Sequence, residues 1–404
     1  MSHRIDGTQL SRILSVPKDE QEAAGFSHTL REIRQQPELW CATAEQIARM
    51  LGAWRALVGQ SKAIVFTGSG SSCYVGECLA HPVQAATGLP VRAISSGDLL
   101  LLRNAALPPL RPLLLVSFAR SGDSPESSEL IRRLLDEEPE VRHLIITCNQ
   151  TGRLAEIWGP HGLEPTPRVS VVTLDDRTCD RSLVMTSSFT NLALAGLGLA
   201  YLGREAEYVE SAKRLACLGD QFLACGSDAL ADAASTGFRR VIALGDGSAF
   251  GAARESALKN LEMTDGRVFT MAETTLGFRH GPMCGLHRDA LLLLFLSADP
   301  LRRPYQLDLL DEIRRKDLGG RKIVAGICLD GAALEPDDLA IEFSRSDSLG
   351  DEWAAMLFVL VGQLLAFFRC RAEGLRPDEP AANGAISRVV SDFRFHSPVY
   401  NRNR

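Results

Sequence analysis

Aromatic residues are scarce, at 6% of 404 positions, and positive charge is in deficit: Lys+Arg 44 against Asp+Glu 50, a net charge of −6. A nucleic-acid or anionic-membrane footprint needs clustered excess positive charge, so that balance argues against both. It leaves room for a small anionic substrate, which needs only a few local donors. The ten cysteines (Cys41, Cys73, Cys78, Cys148, Cys179, Cys217, Cys225, Cys284, Cys328, Cys370) contain no CxxC pair. Scattered along so long a chain, they read as buried free thiols of a reducing compartment, so a cytoplasmic protein is expected. The opening Met1-Ser2-His3-Arg4-Ile5-Asp6 lacks the apolar segment of a signal peptide. The longest apolar stretches, 290–296 and 354–368, fall short of the ~20 residues a spanning helix needs. Gln363 also interrupts the second. No membrane role is expected.

Glycine is plentiful, with 34 residues, and 45% of the chain is hydrophobic, which suits two or three globular domains. Short apolar runs at 63–67, 113–118, 143–148, 169–174, 241–244, 291–296 and 322–327 are rich in Ile, Val and Leu and do not alternate. Strands covered on both faces read this way. Helical patterns at 76–86, 125–137, 186–202, 251–263 and 352–371 fall between them, predicting α/β architecture with mostly parallel sheets sandwiched by helices. Two segments repeat: Val65-Phe66-Thr67-Gly68-Ser69-Gly70-Ser71-Ser72 and Ile242-Ala243-Leu244-Gly245-Asp246-Gly247-Ser248-Ala249. Each is strand, Gly-x-Gly-Ser, helix, so the chain reads as two copies of one module. The predicted organisation is a helical preface (1–55), module one (56–202), linking helices (203–236), module two (237–374) and a tail (375–404) that wraps another surface.

Gly68-Ser69-Gly70-Ser71-Ser72 sits where a strand turns into a helix. Glycines allow close backbone approach, and amides and hydroxyls at the helix start can donate to an anion. A second loop, Ala119-Arg120-Ser121-Gly122-Asp123-Ser124-Pro125-Glu126-Ser127, follows the next central strand. There Ser124 reads as N-cap, Pro125 as first helical residue and Glu126 as a first-turn acid. The bland alternative is two well-capped helices. Strand C-termini of one parallel sheet converge on a crevice, however, which favours an anion site. Walker A is absent. Gly245-x-Gly247-x-x-x-Gly251 resembles a variant dinucleotide fingerprint, but no acid closes the following strand, and Glu273 is the nearest candidate. No cofactor is expected.

On the helix of the second copy, Glu255, Lys259 and Glu262 fall on one face. From spacing alone they read as a solvated i,i+4 pair with a neighbour; their place on a helix flanking the crevice makes them acid–base candidates. Leu276-Gly277-Phe278-Arg279-His280-Gly281-Pro282 sets a histidine on a loop tip, where an imidazole can meet a ligand. His280, Cys284 and His287 form a conceivable metal set, but their spacing matches no standard zinc pattern and no fourth ligand is apparent. Metal is therefore not expected, and no cysteine stands out as a nucleophile.

The chain resembles the sugar isomerase (SIS) domain proteins, with two SIS modules in tandem. More narrowly it resembles the bacterial galactosamine-6-phosphate deaminase/isomerase family, also described as tagatose-6-phosphate ketose/aldose isomerases. The isomerase half of glucosamine-6-phosphate synthase is a more distant likeness. The motifs that carry the resemblance are Thr29-Leu30-Arg31-Glu32-Ile33-Arg34-Gln35-Gln36-Pro37, the loop 117–127, Asp180-Arg181-Ser182-Leu183-Val184-Met185-Thr186-Ser187-Ser188-Phe189-Thr190, Gly277–Pro282 and Pro377-Asp378. The chain departs from the family pattern at Met283-Cys284-Gly285-Leu286-His287 and at Ser391-Asp392-Phe393.

The resemblance implies that Ser71, Ser72, Ser121 and Ser124 hold the sugar phosphate. It makes Glu262 the base between C1 and C2 and His280 the ring-opening group, with Lys259 and Glu255 in support. Arg120, Arg181, Arg279 and Arg388, within or beside these motifs, are further substrate-binding candidates. A phosphorylated amino sugar is the implied ligand. In SIS enzymes the histidine commonly comes from a neighbouring subunit, so a homo-oligomer, dimer or tetramer, is implied, with the site near the interface. A non-catalytic sugar-phosphate sensor is the reading from another class. It is disfavoured because no DNA-binding module is apparent and both Glu262 and His280 are present.

Overall fold

Among the described residues, ten strands form two five-stranded sheets of identical topology. The strands are β1 (Ala63–Gly68), β2 (Val91–Ser95), β3 (Leu113–Ala119), β4 (Val141–Thr147), β5 (Val169–Thr173), β6 (Arg240–Leu244), β7 (Phe269–Glu273), β8 (Ala290–Leu296), β9 (Lys322–Gly326) and β10 (Leu339–Glu342). The orders are β2-β1-β3-β4-β5 and β10-β9-β8-β6-β7, with every pairing parallel. The computed structural model describes residues 8–102, 105–332, 334–336, 338–344, 349–381, 383–390 and 394–396. Residues 1–6 and the departure at 391–393 lie outside the described residues. The central strands β1, β3 and β8 are buried along their whole length, as their unbroken apolar runs require. β2 and β7 are the short strands after each Gly-x-Gly helix. β10 was not anticipated: it is an edge strand of four residues in a stretch rich in acids and loop formers.

The repeat holds at the level of single dihedrals. Gly70 (φ 56°, ψ −127°) and Gly247 (φ 60°, ψ −127°) occupy the same position before the helices Ser71–Thr87 and Ser248–Met263. Only glycine tolerates that backbone without strain. The two helices pack on one another. A Cβ at Gly251 would meet Cys78 Sγ at 2.6 Å and Cys78 N at 2.7 Å. The third glycine of the fingerprint-like run therefore permits a helix crossing and touches no phosphate. Glu77 and Arg254, at equivalent positions of the two helices, pair across the crossing, with Arg254 over the Tyr74 ring.

The helix Asp351–Ala372 is long and apolar enough to cross a membrane by length and composition, yet every residue from Trp353 to Cys370 is buried within the protein. It is the core helix of module two. Its one mid-helix amide, Gln363, is satisfied by Gln36 Nε2 (2.7 Å) and by the Thr186 carbonyl (3.1 Å). Gln36 Oε1 in turn accepts from Thr190 Oγ1, itself bonded by Trp40 Nε1 at 2.9 Å. The preface is thus locked to both modules by buried hydrogen bonds. The tail returns across the molecule. Asp378 caps the helix Ser27–Arg34 through Thr29 N and Thr29 Oγ1, both at 2.7 Å, and residues 386–390 reach module one.

Candidate active site

At the C-terminal ends of β1 and β3, where a parallel sheet opens its crevice, lies a cavity of about 280 Å³. Its wall carries Ser69, Ser71, Ser72, Ser121, Ser124 and Ser127, with the N-terminus of the helix Ser71–Thr87 opening on it. Phe118, Leu183 and Met185 supply the apolar part, and Lys259 and Glu262 enter from module two. Residues Ile386 to Val390 of the tail form the roof. All four serines expected at a phosphate therefore line one cavity. Ser69 and Ser127 are added to them. Ser124 holds the N-cap position, but its hydroxyl donates to Glu126 Oε2 (2.9 Å) and caps no amide.

The face Glu255, Lys259, Glu262 is not solvated. Glu255 and Lys259 are fully buried, because this helix is packed between the Ser71–Thr87 helix and the core helix. Lys259 Nζ lies 3.3 Å from Glu255 Oε1, bonds Glu262 Oε2, and donates to Ser71 Oγ at 3.2 Å. The ammonium so joins the module-two helix to the module-one serine loop. Burial pushes the Glu255 carboxyl up to about 7, with Glu262 adding to the rise and Lys259 opposing it. Burial works against the Lys259 charge, but its two carboxylate neighbours outweigh it and hold the ammonium above its ordinary range. Glu262 alone of the three is partly exposed, at 23%, and it faces the cavity.

The other sequence candidates divide. Arg120 and Arg388 line the cavity, but their guanidiniums serve the backbone. Arg120 donates to the carbonyls of Leu183 (2.9 Å), Ser182 (3.3 Å) and Arg388 (2.8 Å); Arg388 Nε donates to the Asp180 carbonyl (2.8 Å). Arg181 stands outside, in an adjoining polar groove with Asn149 and Cys179. Arg279 pairs with Glu312 at 2.8 Å and His280 is exposed on its turn; neither lines this cavity. Glu273 accepts from Thr274 N (2.7 Å), so the nearest acid to the fingerprint-like run caps its own turn. Among the described residues the one His/Cys/carboxylate group with converging ligand atoms is Cys328, Asp330 and Glu342, which does not include His280, Cys284 or His287. The roof at 386–390 escaped the sequence, apart from Arg388. It has no periodicity, and only tertiary proximity brings it here.

No family model matches the chain. Among curated proteins, one from Streptomyces coelicolor, assigned as a D-galactosamine-6-phosphate deaminase (AgaS), is 38% identical over 386 residues, covering 92% of this chain and 95% of the relative. The Shewanella D-galactosamine-6-phosphate deaminase AgaS is 34% identical, covering 92% of each. This chain belongs to the AgaS family. Among solved structures, a Clostridium novyi protein assigned as a tagatose-6-phosphate ketose/aldose isomerase superposes with a TM-score of 0.87 at 28% identity, over 95% of this chain and 98% of that one. The Escherichia coli tagatose-6-phosphate ketose/aldose isomerase gives 0.78 at 30% identity, over 87% and 95%. The fold is that of the tandem-SIS sugar isomerases.

Proposed function

We propose that this AgaS-family protein converts galactosamine 6-phosphate to tagatose 6-phosphate and ammonia. One observation carries the reading: a buried ammonium, Lys259, clamps Glu262 at the mouth of the same cavity that the serines of the two module-one loops line. The serines and the helix N-terminus suit a phosphate, and Glu262 stands across from them as a base. The substrate enters as a ring. A proton goes to the ring oxygen while the anomeric hydroxyl loses one, giving the open aldehyde. Glu262 takes the C2 proton as the aldehyde oxygen gains one, leaving an enolamine, and returns its proton to C1, giving the C2 iminium. Water then adds to the C2 imine and ammonia leaves. Lys259 orients Glu262, and buried Glu255 holds Lys259 in place.

His280 is the proposed proton donor for ring opening. Its exposure outside its own chain's cavity fits delivery from a neighbouring copy, hence a cytoplasmic homo-oligomer, dimer or tetramer, with the site near the interface. The test is ammonia release from galactosamine 6-phosphate, with glucosamine 6-phosphate and an N-acetylated analogue alongside. Ketose–aldose interconversion of the neutral sugar phosphate with no ammonia would place the enzyme with the isomerases its solved relatives are named for. In heavy water, deuterium is expected at C1 of the product.

A further inference from the structure

The motif 180–190 and the motif 29–37 are both prominent in the sequence, and nothing in the chemistry above uses either. The structure interlocks them. Glu32, from the preface helix Ser27–Arg34, is 2% exposed. Its carboxylate accepts from Arg181 N at 2.7 Å, from Ser182 Oγ, and more loosely from Ser182 N at 3.4 Å. The next amide, Leu183 N, donates to the carbonyl of Asp378 (3.0 Å), the same residue whose carboxylate caps the Glu32 helix. On the carbonyl side, Ser182 and Leu183 accept from Arg120, and Asp180 accepts from Arg388. Asp180's carboxylate is fixed as well, by the amides of Thr186, Ser187 and Ser188 at 2.7 to 3.1 Å.

Both arginines that hang on this loop belong to the cavity. Arg120 immediately precedes Ser121 of the serine loop, and Arg388 lies in the roof. Arg120 also donates to the Arg388 carbonyl, so serine loop and roof are tied to one another as well as to the loop. The 180–183 segment is therefore a hub. The amides of Arg181, Ser182 and Leu183 are taken by the preface and the tail, and the carbonyls of Asp180, Ser182 and Leu183 by the serine loop and the roof. The acceptor that sets its position is Glu32.

We propose that Glu32 is a positioning residue of this active site, setting through the 180–183 loop where Arg120 and Arg388 hold the serine loop and the roof. It touches no substrate. Resting on the functional reading above, it assigns to the preface a part in binding the phosphorylated sugar. Glutamine in its place offers one acceptor oxygen and turns an NH2 against donors, so the hub loses a bond and gains a clash of donors.

The test is Glu32→Gln in the full-length protein with two readouts. The first is steady-state ammonia release, where KM for galactosamine 6-phosphate is expected to rise about tenfold with kcat within about threefold, the signature of lost binding and not lost chemistry. The second is tryptic cleavage after Arg388, read by mass. Loosening the roof is expected to speed it about tenfold while the thermal midpoint stays well above the assay temperature. The proposal stands only if both move. A looser roof with unchanged KM would make Glu32 a fold residue only, and an unchanged roof would break the route through Arg388. If Glu32→Gln does not fold, Ser182→Ala, which removes one donor to Glu32, must shift both readouts in the same direction by a smaller factor; unchanged values overturn the proposal. If wild-type protein releases no ammonia, the functional reading has failed. The first readout then becomes calorimetric affinity for inorganic phosphate, and a Glu32→Gln affinity equal to wild type overturns the positioning role independently.

Discussion

Aligned on their Gly-x-Gly loops, the two modules have the same topology and opposite contents. A Cβ placed at Gly70 would meet nothing within 4 Å, because the space before it is the cavity; one at Gly247 would meet Arg302 Nη1 at 2.5 Å. Where module one has hydroxyls facing open space, module two has a carboxylate facing its own donors. Asp246 accepts from Thr275 N (3.1 Å), Thr275 Oγ1 and Gln306 Nε2 (2.9 Å). Arg302, covering the loop, is held by Asp299 and Asp351, each at 3.3 Å. The module-two loop thus carries an internal anion where module one leaves room for an external one. The helices show the reverse. Glu255, Lys259 and Glu262 correspond to Cys78, Pro82 and Ala85 of the module-one helix, none of which can serve as acid or base near neutral pH. On the proposed function, one copy supplies the binding loop and the other the proton chemistry. The site lies between them because the two helices cross at Gly251.

The largest expected effect tests that division directly. Glu262→Gln keeps shape and hydrogen bonding but removes the basic lone pair, so kcat is expected to fall about 10²–10⁴-fold with KM nearly unchanged. Turnover above a tenth of wild type would mean that module two does not supply the base.

Next come paired substitutions, one in each loop. Ser121→Ala is expected to weaken a phosphorylated ligand by roughly 1–3 kcal/mol through a lost charge-assisted bond, and to leave the unphosphorylated sugar nearly untouched. Equal losses for both ligands would reduce Ser121 to a support for Asp123 N, which it bonds at 3.2 Å. Asp246→Ala should do the opposite. Stranding Thr275 N and the Gln306 amide is expected to cost about 1–3 kcal/mol of unfolding free energy with kcat and KM unchanged. If KM rises instead, the module-two loop belongs to the site and the division of labour collapses.

Much of this was legible before any coordinates. The unbroken apolar runs of β1, β3 and β8 announced a parallel sheet covered on both faces, and the paired Gly-x-Gly-Ser segments announced the repeat. The serines could be placed because loops after central strands share a crevice by topology alone; Glu262 was singled out by its helix, which starts at the second Gly-x-Gly-Ser loop, and by the family resemblance. Burial could not be read. Glu255 and Lys259 carry the spacing of a solvated pair, and only the crossing of two helices turns them into a desolvated one. The partners of the arginines could not be read for a related reason: Arg120 and Arg388 sit at the cavity but donate to carbonyls that other segments bring near. Glu32 stood inside a recognisable motif, but its part could not be read, since its partners lie about 150 positions away.

The smallest effect is a slope. Cys78 and Glu255 are equivalent and both fully buried, and burial pushes both groups up. The thiol is neutral in either state at ordinary pH and adds no pH dependence to stability. The carboxyl does. Its ordinary value is 4.5 and its folded value about 7, so between those limits the folded chain holds a proton that the unfolded chain has released. Unfolding then releases protons, and stability must fall as pH rises across that window, being fully present below about 4.5 and lost above about 7. Glu32, raised to about 7 by burial and then by Asp180, adds a slope of the same sign. Carboxylates held low by arginines, such as Asp175, act in the opposite sense and at lower pH. They are common to both proteins, so the comparison of slopes cancels them. Urea unfolding of wild type and Glu255→Gln from pH 4.5 to 7 is therefore expected to give a shallower decline in the variant. Parallel curves would show that Glu255 ionises as easily in the fold as in water. Module two would then carry its carboxylate no more strained than module one carries its thiol.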